Sequence, residues 1–153
     1  MNFQIINLSK YPYQPITDFA TARNYFIDKL ERDQWILFVD DDEEPSQMLL
    51  NHIRELKPTM PYYAIRIIGL EEGRYMPDWN PNFSPRLVST KVCYTGKIHE
   101  TIRPRKPYGI IDFPIIHNHT GPKKYPKLLR HSIPIVSRAW WITKKLVEVA
   151  RGR

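Results

Sequence analysis

Cysteine is almost missing from this chain of 153 residues: Cys93 stands alone, so no internal disulfide framework staples the fold. No apolar run of about 18 residues occurs, so no segment reads as a membrane-spanning helix. The opening stretch, MNFQIINLSK, has too short an apolar core and the wrong flanks for a signal peptide and reads as a strand. Together these absences make a cytoplasmic location the expectation. Internal repeats and low-complexity segments are also lacking. Acidic residues are scarce at one end only: residues 101–153 hold 12 Lys/Arg against 2 Asp/Glu, whereas residues 1–100 hold 11 against 14. The net charge of +7 therefore belongs to the C-terminal part. Such polarity suits a polyanionic partner, whether nucleic acid, an anionic membrane surface or a phosphorylated substrate, and charge alone does not choose among them.

An apolar fraction of 42%, with 12% aromatics, is enough for one domain with a real core, and 14 prolines imply many short elements. Phe3 to Asn7 reads as a strand. After the loop KYPYQPI, Asp18 is placed to cap a helix in which Phe19, Ala22, Tyr25/Phe26 and Ile27/Leu30 recur at helical spacing. WILFV (Trp35 to Val39) is uniformly apolar, as a central strand covered on both faces would be. Pro45 fits the first position of a helix running to about Leu56. This alternation of strand and helix predicts an α/β fold with a parallel sheet. Further strands are expected at Tyr62 to Leu70, near RLVST and VCYTG, and at GIIDFPIIHNH. Two basic helices, about Lys123 to His131 and Ile135 to Ala150, are expected to close the chain.

Five consecutive carboxylates, Asp40 to Glu44, follow WILFV directly. Open α/β sheets gather ligands at the carboxyl ends of their strands. Alternate residues of an extended segment share a side, so Asp40 and Asp42 can face one ligand while Asp41 faces elsewhere. Two converging carboxylates repel each other, and a hard divalent cation relieves the repulsion. The plainer alternative is a helix N-terminus that favours negative charge, which accounts better for Glu43 and Glu44 than for three aspartates in a row. The stretch ILFVDDDEEPSQMLLNHIREL also looks like the start of a response-regulator receiver domain. Downstream, however, no buried strand ends in a phosphoacceptor Asp.

DFATARNYFIDKLERDQWILFVDDDEEPS resembles the middle of family 2 glycosyltransferases, in which a helix bearing an Arg-Asn pair precedes a Trp-initiated strand and an Asp-x-Asp-Glu signature. PRLVSTKVCYTGKIHE and IIHNHTG resemble, in the same order, the later segments of the subgroup that includes lipopolysaccharide-core sugar transferases. The resemblance covers roughly residues 3 to 131. It begins after the family's opening strand–helix units, which contact base and ribose. It implies a truncated or minimal GT-A-like, Rossmann-like mixed sheet flanked by helices, with a core over 1–131 that is incomplete at its N-terminus and a basic amphipathic helix over 132–153.

The activity implied is a metal-dependent inverting transfer of a sugar from a nucleotide-diphosphate donor to a glycan or lipid-linked acceptor, with Mn2+ or Mg2+ as cofactor. By resemblance Asp42 is the main metal ligand and has a catalytic part through it. Asp40 contacts the ribose or the metal's water shell, and His119 completes the metal or pyrophosphate site. Glu43 orients the site or caps the helix. Glu100 is the candidate general base, with His99 beside it as an acceptor or phosphate contact. Arg23 and Asn24 buttress the donor loop, and Arg86 either contacts a phosphate or holds the acidic loop. His117, two residues from His119, would share its face on a strand.

The C-terminal SRAWWITKKLVEVARGR interleaves Trp140 and Trp141 with basic residues, which suits either the surface of a membrane or packing on the sheet. The alternative to an enzyme is a degenerate, non-catalytic binding module. A nucleic-acid binder is disfavoured by the lack of any groove-reading motif. Oligomerisation is compatible with all of these readings.

Overall fold

The computed structural model of the protein describes residues 1–31, 33–77, 80, 82–97 and 100–119. The expected basic helices over 123–131 and 135–150, the membrane-facing Trp pair and His99 lie outside the described residues, as does the His119 side chain. No helix among the described residues is long and apolar enough to cross a membrane.

The chain runs from strand β1 (Phe3–Asn7) through a 3-10 turn (Leu8–Lys10) to helix α1 (Phe19–Ile27) and strand β2 (Trp35–Val39). A short strand β3 (Glu43–Pro45) and helix α2 (Gln47–Glu55) follow. The remaining elements are all strands: β4 (Tyr62–Glu71), β5 (Arg74–Tyr75), β6 (Asn82–Ser89), β7 (Cys93–Thr95), β8 (Thr101–Arg103) and β9 (Gly109–His119). The large sheet has the order β1-β2-β6-β4-β9-β3, with β5 paired to β4, and β7 and β8 form a separate two-stranded sheet.

This corrects the expected helix-flanked, Rossmann-like α/β fold. The described residues are mostly β, with 44% strand and 20% helix, in one curled mixed sheet of seven strands with two α-helices. The early cadence is real, since β1 and β2 are parallel on either side of α1. It then fails, because β6 enters antiparallel between β2 and β4. Strands β4 and β9 pair in parallel over most of their length. The acidic stretch supplies the other departure. Pro45, expected inside the helix, ends β3, which is antiparallel to β9. Ser46 caps α2 instead, its hydroxyl accepting the Leu49 N–H. Asp18 caps α1 by accepting from the Thr21 N–H at 2.9 Å.

All five residues of β2 are buried, and their alternation divides the core. Ile36 and Phe38 enter one cluster with Ala20, Ala22 and Ile27 of α1 and with Tyr94 and Ile102. Trp35, Leu37 and Val39 enter the other with Leu49 and Ile53 of α2 and with Ile65, Ile111 and Ile115. Full burial of each such aliphatic side chain contributes about 1.5–3 kcal/mol, which fixes the strand and the direction in which its last residue delivers the chain.

Candidate functional site

Val39 closes β2 inside the core, so Asp40 places its carboxylate at the carboxyl end of an interior strand. Asp40 starts a tight turn. Its carbonyl accepts the Glu43 N–H at 3.0 Å, and the Glu43 carboxylate accepts the Asp40 N–H at 2.9 Å. That turn aims the Asp40 and Glu43 side chains at one guanidinium. Arg86, delivered by β6, donates through Nη2 to Asp40 Oδ2 at 2.9 Å and to Glu43 Oε1 at 2.5 Å. The Glu43 side chain is 1% exposed, so its charge is stabilised by Arg86 rather than by water.

A second arginine approaches from α1. Arg23 Nη2 lies 3.6 Å from Asp40 Oδ1, and its Nε donates to Glu100 Oε1 at 2.8 Å. The Arg23 guanidinium is placed against the rings of Phe38 and Tyr94, 5.0 and 5.4 Å from their centroids. This cation–π contact holds a charge that is nine-tenths buried. Arg23 Nη1 and Arg86 Nε and Nη1 are buried without a hydrogen-bond partner among the described residues.

The carboxyl groups respond in opposite directions. Burial alone would push Asp40 up, but the charge and hydrogen bond of Arg86, aided by Arg23 and His117, hold it below the usual carboxylate value. Burial, joined by the neighbouring Asp40 charge, raises Glu43 despite Arg86. Arg86 is raised: burial works against its charge, but Asp40 and Glu43 more than compensate. Burial pushes the Tyr94 phenol up to about 12, against the pull of Arg23 and Arg86.

Asp42 is the acid of this group that the arginines do not hold. Its carboxylate is about half exposed, and Oδ2 lies 3.0 Å from His117 Nε2. The pairing of β3 with β9 makes this contact: Glu43 and His117 are in register, and the Asn118 N–H donates to the Asp42 carbonyl at 2.8 Å. His117 also acts electrostatically on Asp40 and Glu43, lowering both. Asp41 is exposed.

Of the residues singled out in the sequence, the structure brings Asp40, Arg23, Arg86 and Glu100 into one network and puts Asp42 beside it with His117. Asn24 takes a different place. Its side chain accepts the Tyr94 N–H at 2.7 Å and donates to the Tyr94 carbonyl at 2.8 Å, clamping β7 to α1. The His119 backbone ends β9 opposite Glu71. Tyr94, a landmark of the resemblance in VCYTG, is the residue of this cluster to which the sequence assigned no role. It lies under Arg23, meets Phe38 edge-on and donates its hydroxyl to the Pro85 carbonyl at 2.8 Å. A Tyr flanked by Cys and Thr in a three-residue strand gives no periodic signal to find it by. Replacing Asn24 with Ala leaves a buried N–H and carbonyl of Tyr94 unpaired. The expected loss is about 2 kcal/mol in urea unfolding, with no change expected for the exposed Asn51→Ala.

Among the described residues, no three His, Cys, Asp or Glu side chains converge as a ready-made metal site. Asp42 and His117 do fit as a pair of donors: their 3.0 Å separation is what adjacent ligands about 2.1 Å from an octahedral ion would show. Asp40 fits less well as a direct ligand, because each of its oxygens faces an arginine. The chain matches no protein-family model and no curated protein.

Proposed function

We propose that this protein is a cation-dependent glycosyltransferase that takes a sugar from a nucleoside-diphosphate donor and passes it to a hydroxyl of a glycan or lipid-linked acceptor. The observation that carries this reading is the half-exposed Asp42 carboxylate beside His117, next to a cluster where three other carboxylates meet two guanidinium groups. Such a surplus of negative charge invites a divalent cation. One carboxylate and one imidazole suffice for Mg2+ or Mn2+ when phosphate oxygens and water supply the other positions.

In this scheme the acceptor oxygen bonds to the anomeric carbon as the carbon–oxygen bond to the diphosphate breaks. The bonding electron pair leaves on the diphosphate, and the acceptor's proton passes to Glu100. Asp42 and His117 would hold a divalent cation, whose charge would stabilise the diphosphate as it leaves. Glu43 and the Asp40 Oδ2 oxygen, fixed by Arg86, keep the turn in shape. The basic, Trp-bearing C-terminal sequence supports contact with an anionic membrane surface, where a lipid-linked acceptor would reside.

Calorimetric titration with UDP and with GDP, each with and without Mn2+, tests the proposal. Metal-dependent binding is expected for one nucleotide. It should weaken at least about tenfold in Asp42→Asn and stay unchanged in Asp41→Asn. Equal affinity in Asp42→Asn and the parent would remove the reading's support. A non-catalytic nucleotide-binding module is the second reading, favoured by the engagement of Glu100 with Arg23. It predicts the same binding without release of sugar from any donor.

A further inference from the structure

Among the described residues, Arg23 is the side chain that joins the candidate base to the acid turn. Its Nε bonds Glu100 at 2.8 Å and its Nη2 faces Asp40 at 3.6 Å, so a single positive charge is divided between two carboxylates that lie 60 residues apart in sequence. The division is unequal, with the shorter contact on Glu100. The stem has little freedom, since the guanidinium lies against Phe38 and Tyr94 and the side chain is 8% exposed. Asp40 does not depend on Arg23, because Arg86 holds its other oxygen at 2.9 Å. Asp40 can therefore turn toward a cation without being left unneutralised.

We infer that Arg23 is a positioning residue that couples the Asp42–His117 cation site to Glu100: a divalent cation competes with Arg23 for Asp40, and Arg23, released, closes fully on Glu100. Cation binding would thus fix the orientation of the proton-accepting carboxylate, so that base and donor site are set together. The coupling is reciprocal, because any group that holds Arg23 away from Asp40 strengthens the cation's hold by the same factor. This inference rests on the cation reading proposed above.

The reciprocity gives a test that needs no turnover. Mn2+ is titrated into the 153-residue chain and free Mn2+ is read by electron paramagnetic resonance. Arg23→Gln removes a positive charge near the cation and should tighten binding about fivefold. Glu100→Gln removes a negative charge and leaves Arg23 to Asp40, and should weaken binding by a similar factor. The double variant should bind as Arg23→Gln alone does, because without Arg23 residue 100 has no link to Asp40. A purely structural role for Arg23 would leave the effect of Glu100→Gln the same in either background. Two singles that shift in the same direction, or a double variant that returns to the parent by simple addition of two charge changes, overturn the coupling. Should Arg23→Gln not fold, Arg23→Lys, expected to bind as the parent does, and Glu100→Gln still decide: unchanged affinity in Glu100→Gln overturns it. A parent that binds no Mn2+ overturns the cation reading and this coupling with it, whereas binding lost in Asp42→Asn but indifferent to residues 23 and 100 overturns the coupling alone.

Discussion

Replacing Arg86 with Met should destabilise the protein by about 3–5 kcal/mol at neutral pH, because it leaves two carboxylates facing each other without their shared cation. Glu43 suffers most, its side chain being 1% exposed. The pH dependence supplies a sharper check. In the parent, Asp40 is held below its ordinary value, so it contributes stability that is present above the usual carboxylate range and is lost as the pH falls through its folded value. Glu43 is raised and acts with the opposite sign: it costs stability once the pH exceeds its folded value and gives that stability back on acidification. Without Arg86, Glu43 loses its main source of opposite charge and rises further, so protonation becomes its chief means of neutralisation. Urea unfolding at pH 7 and pH 5 should therefore show a gap between parent and Arg86→Met that narrows in acid. A gap that is constant or widens would contradict this account.

The second large effect concerns a position away from the acids. Gly109 begins β9 opposite Tyr63 of β4, and an added Cβ would lie 2.3 Å from two atoms of the Tyr63 ring. The ring cannot step aside freely. Tyr63 is 6% exposed, its hydroxyl accepts the Thr59 N–H at 2.9 Å, and Trp35 lies 5.9 Å away. Gly109→Ala is expected to cost about 3 kcal/mol, the upper end of an overpacked core. Gly73, at φ 77° with nothing near its missing Cβ, should lose only about 1 kcal/mol on the same substitution, as backbone strain. Thermal unfolding of both variants, and of Gly109→Ala combined with Tyr63→Leu, separates collision from strain: only the collision shrinks when the ring is removed.

Local signals in the sequence were readable where burial or capping wrote them. WILFV announced a fully covered strand, Asp18 announced its helix, and Tyr62 to Leu70 and GIIDFPIIHNH announced the two long strands. What could not be read was which strands would pair. Nothing in RLVST says that β6 will lie antiparallel between β2 and β4, since pairing order is decided by which faces bury against α1 and α2. The short β3 was hidden for a related reason. Glu43 to Pro45 has poor strand propensity, and only its ladder with β9 makes it a strand. Of the candidate site, Asp40, Asp42, Arg23, Arg86 and Glu100 could be named as residue types in order. The division of labour among them could not, because it depends on Arg86 reaching back 46 residues to Asp40 and on β9 carrying His117 to Asp42.

Those long reaches have a kinetic meaning. The bond between Arg23 and Glu100 closes a span of 77 positions, and β9 must arrive before Asp42 meets His117. Contacts so distant in sequence form slowly and late, after local helices and hairpins. A nascent chain that has made only β1, α1 and β2 displays its row of aspartates with Arg23 in place but without Arg86 or His117. The cation binding proposed for this turn would therefore emerge only with the finished sheet, and partly folded forms would lack it.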